Sequence, residues 1–455
     1  MHQILFQMKK IFTVFTALLL IVFVYLRIAI YPQLDLISGF AAKNVASGHF
    51  IDDRSVKLIE QTDNDIPKVD WATNKVNDSE GFATASVFGL KKRKAIHRTG
   101  LGVTLINDNF DLKKTYKTPK RTKKEIDLPY PYGDLELKDT IFANVNYNKL
   151  NEAVTKAFDL KGEKKKRTRS VVVLYKGKLL IEKYADDFNK NSKILGWSMT
   201  KSITATYFGI LQHQGKIDIM KPTGLKEWKN DERKKITIND LLHMNSGLKW
   251  EEKYDKICDA TKMLFVEEDM TKSQLNKPLT GKPNQSWNYS SGTTNLLSGI
   301  LRNQFKSHQE YLDFWYSALI DKIGMNSMIV ETDMAGNFVG SSYAWATTRD
   351  WAKFGQLYLN KGKWNGEQLF DESWSSYVAT PTNTSDGRYG GQFWLNAGGF
   401  FPDVPKDMFY ASGFQGQMVA VFPSQDLIIV RMGLKENPEF DFNEFLSGII
   451  TSLPN

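Results

Sequence analysis

A serine and a lysine three residues apart, Ser198-Met-Thr-Lys201, are the first candidates for chemistry in this chain. A serine hydroxyl is a poor nucleophile at neutral pH and needs a base within hydrogen-bond reach. A lysine becomes that base when burial or neighbouring donors strip its proton. The spacing brings the two together only on a helix, where residues i and i+3 share a face. Thr200–Gln212 meets this condition: Ile203, Tyr207, Phe208, Ile210 and Leu211 predict a helix with one buried stripe. Its N-terminus also favours developing negative charge. The S-x-x-K string recurs at Ser246-Gly-Leu-Lys249, but there Asn245 and Gly247 predict a turn. On the string alone, Ser198 is equally well read as an ordinary serine.

Other chemistries find no support. Gly196-Trp-Ser-Met-Thr200 lacks the second glycine of a G-x-S-x-G elbow. P-loop, dinucleotide-binding and H-E-x-x-H strings are missing from the sequence. The histidines His2, His49, His97, His213, His243 and His308 are too scattered for a local metal pair. Cys258 is the only cysteine, which excludes an intramolecular disulfide framework and a CxxC zinc site. No metal or organic cofactor is expected, and His243 reads as structural.

The elements that must position the pair are legible in outline. Val171–Ile181 predicts two strands around a Lys176-Gly177 turn, and Met418–Phe422 with Leu427–Met432 predicts a second hairpin. Phe440–Leu453 has helical spacing, and the long stretch between the hairpins is rich in helix patterns. The expectation is an α/β (α+β) body whose sheet joins distant parts of the chain around a mostly helical insertion. Sites tend to lie at the seam of such an arrangement.

Ser198-Met-Thr-Lys201 is followed in order by Leu241-Leu-His-Met-Asn-Ser-Gly-Leu248, Tyr289-Ser-Ser291, Ala346–Gly355 and Ala411-Ser-Gly-Phe-Gln-Gly-Gln417. With these markers the chain resembles the serine β-lactamase and penicillin-binding-protein-like family. The likeness is strongest to its class C β-lactamase, esterase and 6-aminohexanoate-dimer hydrolase branch, over residues 150–450. The resemblance implies a β-lactamase-like fold with an antiparallel sheet flanked by helices. It implies Ser198 as the nucleophile of an acyl-enzyme, Lys201 as its base and Tyr289 as a second acid/base. A tyrosine suits that role if a cation such as Lys201 stabilises its phenolate. The oxyanion hole would be the backbone N–H groups of Ser198 and Phe414. Trp197, Ser291, Ser412, Gly413 and Trp394 would contact substrate; Ser291 could instead bond the lysine or satisfy a turn.

Two departures shape the expected substrate. Ala411-Ser412-Gly413 stands where β-lactam-handling members carry Lys-Thr-Gly, and the tyrosine motif ends in Ser291 rather than Asn. A cation at the first place would help hold a substrate carboxylate. Its loss favours an esterase or amidase over a D,D-peptidase or β-lactamase. A non-catalytic envelope-binding protein that kept the fold is the reading from another class. Aromatics near the motifs, Trp197, Trp287, Phe393, Trp394, Tyr410 and Phe414, either line an apolar pocket or belong to the core.

Ahead of this body, Ile11–Leu26 is uncharged and almost wholly apolar, with Lys9 and Lys10 before it and Arg27 after. As a helix it spans about 24 Å, extendable through Tyr31 if Arg27 snorkels. Small residues suited to signal cleavage come late, at Gly39 and Ala41, so the segment reads as an uncleaved signal anchor ending at Pro32. Lys9 and Lys10 place the N-terminus inside. The body then lies outside the cytoplasm, on a single-pass plasma-membrane protein, whether periplasmic or extracellular.

Residues 33–128 are polar and irregular in pattern, with Gly100–Ile106 a candidate strand of a small accessory subdomain and Pro129-Tyr-Pro-Tyr-Gly133 a stiff linker. Seven of the twelve residues Lys113–Lys124 are basic, as are six of the nine in Lys161–Arg169. These runs read as solvated loops or as contacts to an anionic lipid or wall polymer. The net charge of +9 does not make the chain a nucleic-acid binder, because the two runs hold a single aromatic, Tyr116, and the body is expected outside the cytoplasm. The expected division is an anchor at 1–32, an accessory region and basic linker at 33–134 and a catalytic domain at 135–455. The expected partners are a small-molecule or peptide-like ester or amide and the membrane; the oligomeric state is open.

Overall fold

The computed structural model describes residues 2–113, 115–123, 125–136 and 141–454, apart from the side chains of His2 and Leu5. Lys114 and Lys124 of the first basic run therefore lie outside the described residues, as do Met1 and Asn455.

The chain begins as one long helix. Helix α1 (His2–Tyr25) passes through a π-helical turn, Leu26–Ile30, into α2 (Tyr31–Asp52). The helix continues past Pro32, where the apolar zone was expected to end. The proline sits in the first turn of α2, where a missing N–H is tolerated. The two halves differ in environment. α1 is bare, with Phe12 71% and Phe23 63% exposed. α2 is enclosed on most sides through small residues, among them Gly39, Ala41, Ala42, Ala46 and Gly48. A Cβ added to Gly48 would lie 2.8 Å from Ile59 Cδ1, so the helix lies flat against its neighbours. A helix enclosed this way has no apolar stripe, which is why residues 33–52 carry no helical pattern in sequence.

Helix α3 (Val56–Gln61) leads into an antiparallel meander, β1 (Ala72–Asn77), β2 (Phe82–Val87), β3 (Leu90–Arg98) and β4 (Gly102–Ile106). The expected strand at Gly100–Ile106 is thus present. The sheet is not a free-standing subdomain, because Ala83, Ala95, Val103 and Leu105 share one core with Ala41 and Val45 of α2 and with Leu195, Trp197, Trp250 and Trp345 of the body. Lys43 of α2 pairs with the buried carboxylate of Glu331. That carboxylate also accepts from Ser47 Oγ (2.8 Å), Val103 N (2.8 Å) and Trp345 Nε1 (3.0 Å).

The segment expected as a linker is docked instead. Tyr130 is buried and its hydroxyl donates to Arg349 O at 2.9 Å. The basic runs are anchored too: Arg121 pairs with Asp321 at 2.6 Å and Arg169 with Asp63 at 2.6 Å. A solvated loop describes neither in full, since the pairing carboxylates lie far away in sequence.

In the body, α4 (Tyr147–Lys156) precedes the hairpin β5 (Ser170–Tyr175) and β6 (Lys178–Tyr184). Lys176 and Gly177 turn it with φ of 49° and 68°, the geometry of a tight two-residue turn. Strand β7 (Lys193–Leu195) runs into α5 (Thr200–His213), followed by α6 (Ile238–Leu242), α7 (Asp259–Phe265), α8 (Ser291–Arg302) and α9 (His308–Trp315). Then come β8 (Ile329–Val330), β9 (Ala344–Thr347), α10 (Thr348–Leu359), the two-residue strands β10 (Lys363–Trp364) and β11 (Glu367–Gln368), and α11 (Glu372–Val378). The chain closes with β12 (Trp394–Leu395), β13 (Phe409–Gly413), β14 (Gln417–Phe422), β15 (Leu427–Met432) and α12 (Phe442–Ile450).

The main sheet has the order β12-β13-β14-β15-β5-β6 and is antiparallel. β15 pairs with β5 at Ile428↔Leu174 and Val430↔Val172, so both ends of the body meet in one sheet, as the two predicted hairpins require. Alternate residues explain the layers. Val172, Leu174, Ile428 and Val430 pack with Trp351 and Phe354 of α10. Val171, Val173 and Ile429 pack with Val154 of α4 and with Phe445 and Leu446 of α12. Covered on both faces, these strands read as continuous apolar runs. Each fully buried Val, Leu or Ile contributes about 1.5–3 kcal/mol. A smaller sheet of order β7-β9-β8 pairs Leu195 with Trp345 and aims the chain into the turn before α5.

Candidate active site

The candidate residues sit at the ends of elements. Ser198 occupies a 3-10 turn, Trp197–Met199, between β7 and α5. Trp197 has φ +46°, a left-handed conformation that a bulky residue rarely adopts. Such strain persists only where surroundings hold it. Here Gly196 N donates to Ala344 O at 2.8 Å and Thr200 Oγ1 to Trp197 O at 2.7 Å. The indole packs edge-on to Phe414, 5.6 Å between centroids, and 6.0 Å from Phe40. Gly196 is required in turn: a Cβ there would stand 2.3 Å from Trp351 Cζ2.

Lys201, in the first turn of α5, is 1% exposed. Its Nζ donates to Ser198 Oγ (2.9 Å), Ser291 Oγ (3.0 Å) and Ser341 O (2.9 Å). Burial brings its pKa down to about 8, against the raising influence of Glu252. A neutral amine keeps two N–H groups and gains one lone pair, so one of the three partners must then donate. Ser341 offers a carbonyl, and the Ser291 hydroxyl donates to Glu252. Ser198 is the partner left with a proton to give. The arrangement can therefore move the Ser198 proton to Lys201 without rearrangement.

Tyr289 and Ser291 straddle the N-cap of α8, where the Ser290 side chain accepts from Thr293 N at 2.9 Å. One of the alternatives for Ser291 is thereby realised, since it bonds the lysine. The condition set for Tyr289 is a cation at its phenolate. Lys201 Nζ lies 4.9 Å from the centroid of the ring, facing its π surface. Burial and then the Glu252 carboxylate push the phenol well above its ordinary pKa, with a hydrogen bond to Ser198 acting the other way. Burial and Glu252 thus disfavour its ionised form, and its phenol stands beside the serine. Trp394 stands 5.3 Å from the Tyr289 ring and Tyr389 5.8 Å, so Trp394 meets the site through the tyrosine.

The end of β13 closes the other side. A Cβ on Gly413 would fall 2.1 Å from Gly196 O, so only glycine lets this strand touch the serine turn. Gly413 is buried while Ser412 and Phe414 are partly exposed. Of the remaining aromatics, Phe393 is core, Tyr410 is buried opposite Trp394, and Trp287 packs 6.0 Å from Trp394. A cavity of about 320 Å³ opens beside Ser198, between Trp197, Phe414, Leu264 and Phe265.

Glu252 is the functional candidate that sequence reasoning missed. It accepts from Ser291 N at 2.9 Å and from the hydroxyls of Ser291 and Tyr254 and the indole of Trp250. It lies in the charged stretch Trp250-Glu-Glu-Lys-Tyr254, where nothing separates it from an ordinary surface carboxylate. His243 is structural as read: buried, bonded to Thr382 Oγ1 at 2.8 Å, its pKa drawn down to about 4 by burial. Cys258 is buried at the N-cap of α7. No cluster of potential metal ligands occurs among the described residues.

The family model described as Beta-lactamase matches residues 154–445, and the chain belongs to that family. Solved structures agree in fold. A family VIII carboxylesterase superposes with TM-score 0.55 at 14% identity, covering 70% of this chain and 100% of that one. A candidate 6-aminohexanoate-dimer hydrolase from Bacillus anthracis gives TM-score 0.53 at 22% identity, covering 67% and 80%. A penicillin-binding protein from Bacillus halodurans gives 0.51 at 14% identity, covering 66% and 99%. No curated protein matches the chain significantly. At these identities the likeness is one of fold, and the family is one of hydrolases.

Proposed function

We propose that this protein is a membrane-anchored serine hydrolase that cleaves an ester or amide through an acyl-enzyme on Ser198. The observation that carries the reading is the 2.9 Å contact between Ser198 Oγ and Lys201 Nζ, on a lysine buried enough to be drawn down to about 8. Neutral Lys201 takes the Ser198 proton as Oγ bonds to the substrate carbonyl carbon. The carbonyl oxygen becomes an oxyanion facing the backbone N–H groups of Ser198 and Phe414, a role supported by the close approach of Gly413 to Gly196. Two such donors lower the barrier by several kcal/mol. The intermediate collapses, the bond to the leaving group breaks, and Tyr289 hands that group a proton, replenished from Lys201. Water then attacks the ester by the same path, freeing the acid and restoring Ser198.

Trp197, Ser291, Ser412, Gly413 and Trp394 border the reacting groups as substrate-contacting or positioning residues. Ala411-Ser412-Gly413 supplies no cation for a substrate carboxylate, which favours esterase or amidase action over penicillin handling. For the anchor, the helical run Phe6–Asp52 contains a stretch of mean hydropathy 2.5, none of it buried. It supports a membrane segment within residues 1–32 and a body outside the cytoplasm. Residues 33–134 act as a module that completes the catalytic domain at 135–455.

The test is intact mass of the full chain in detergent after a fluorophosphonate and, separately, a penicillin, with Ser198→Ala alongside. A fluorophosphonate adduct on the wild type but not the variant is expected. A penicillin adduct would redirect the assignment to a D,D-peptidase or β-lactamase. No adduct from either would sink the acyl-enzyme reading in favour of a binding role.

A further inference from the structure

The cavity beside Ser198 is not closed by the body alone. Leu36, Ile37 and Phe40 of α2 form its roof, and the loop 66–69 forms one side. Its charged neighbours Lys68, Asp255 and Lys256 are exposed, so charge is confined to the rim. The roof is the direct continuation of the bare apolar helix. Ile28 is 71% exposed, and Ile37 already covers the cavity. At 1.5 Å per residue these two are only about 14 Å apart along the helix.

A second feature marks the same level. Tyr31, at the junction of α1 and α2, has Arg27 4.4 Å and Lys91 4.8 Å from its ring centroid. Lys91 follows the β2–β3 tip, where Phe88 is 72% and Leu90 47% exposed. Trp71, 46% exposed, packs 6.0 Å from Phe88. Aromatic and basic side chains gathered around the end of an apolar helix form the collar found at bilayer interfaces. Exposed apolar residues beside it mark a surface that meets lipid. The cavity adjoins this collar, since Lys68 Nζ reaches Gln33 Oε1 at 3.4 Å, two residues past Tyr31.

We infer that the cavity takes the acyl chain of an ester lipid drawn from the bilayer, so that the acyl group passed to Ser198 is a fatty acid. The inference rests on the proposed Ser198 hydrolase. The chain lies under α2 with its carbonyl at Ser198. Oγ bonds to that carbon, the carbon–oxygen bond to the lipid alcohol breaks, and the alcohol leaves with a proton. Water then releases the fatty acid. A volume of about 320 Å³ lies at the lower end of ligand-pocket sizes, about 300–1,000 Å³, as a medium-length acyl chain requires. Each buried methylene adds up to about fourfold in transition-state binding.

The test compares p-nitrophenyl acetate and decanoate on the full chain in detergent, and fatty-acid release from phosphatidylcholine–phosphatidylglycerol vesicles carrying the full chain. Decanoate should lead acetate in kcat/KM by at least about tenfold. Vesicles should yield free fatty acid, and an acyl adduct on Ser198 at short times that Ser198→Ala lacks. Ile37→Trp, which fills the cavity, should cut the decanoate-to-acetate ratio by about tenfold or more. The adduct readout uses the wild-type chain and stands even if Ile37→Trp does not fold. A preference for acetate with no lipid cleavage, or a ratio unmoved in a folded Ile37→Trp, would overturn the inference. Fluorophosphonate labelling of Ser198 under those conditions would leave the hydrolase itself standing; its failure would end both.

Discussion

Glu252→Gln separates the two things a neighbouring carboxylate does for Lys201. In the wild type, burial takes the lysine from 10.5 to about 8. At pH about 7 roughly one molecule in ten then holds a neutral amine, against roughly one in three thousand for an unshifted lysine. The sign follows from the base being the neutral form. The labelling rate should rise about tenfold per pH unit below about 8 and level off above it. Glu252 raises the lysine, so its neutralisation should move that limb to lower pH. It also fixes the Ser291 proton, by accepting from that hydroxyl. Glutamine can donate to Ser291 instead and free its proton for Lys201, which then competes with Ser198. That competition is of the size of one net hydrogen bond, about 0.5–1.5 kcal/mol, so the plateau should drop about two- to tenfold. The assay is the second-order rate of fluorophosphonate labelling of the full chain across pH about 6 to 10. A flat wild-type profile, or a limb near the ordinary lysine value, would refute the buried-base argument. An unmoved limb in Glu252→Gln would refute its electrostatic part.

Three further outcomes are expected. Tyr289→Phe keeps the ring packed against Trp394 but removes the proton donor; ester or amide turnover should fall on the order of 10²-fold. Fluorophosphonate labelling, whose fluoride needs no such donor, should fall much less, and equal losses in both assays would contradict the role. Breaking the buried pair that holds α2 to the body by Glu331→Ala should cost about 3–5 kcal/mol in denaturant unfolding, and more than Lys43→Met. The order follows because loss of Glu331 removes the shared acceptor of four donors, of which Lys43 keeps another partner, Ser47 Oγ, whereas loss of Lys43 leaves three of them bonded. Gly413→Ala places a Cβ where Gly196 O stands and should cut labelling on the order of 10²-fold, with the far-UV circular dichroism unchanged.

The parts of this protein legible in sequence are those set by local geometry. Ser198 and Lys201 meet because a helix start places residues three apart on one face, a relation that needs no tertiary contact. The two hairpins, and the sheet they imply, follow from apolar runs bounded by turn residues. The upward push on the Tyr289 phenol was not legible, because it comes from burial and from Glu252, thirty-seven residues away. α2 was hidden because a helix enclosed by small residues loses the one-sided pattern that marks helices in sequence. Lys43 and Glu331 stand 288 positions apart, a separation at which no spacing rule operates. Sequence by itself determined that Ser198 and Lys201 meet at a helix start and where the two hairpins turn. Only the tertiary structure decided that the helix continuing the bare apolar run roofs the cavity and that Glu252 stands beside the lysine, since burial and charge act through space between segments the chain keeps far apart.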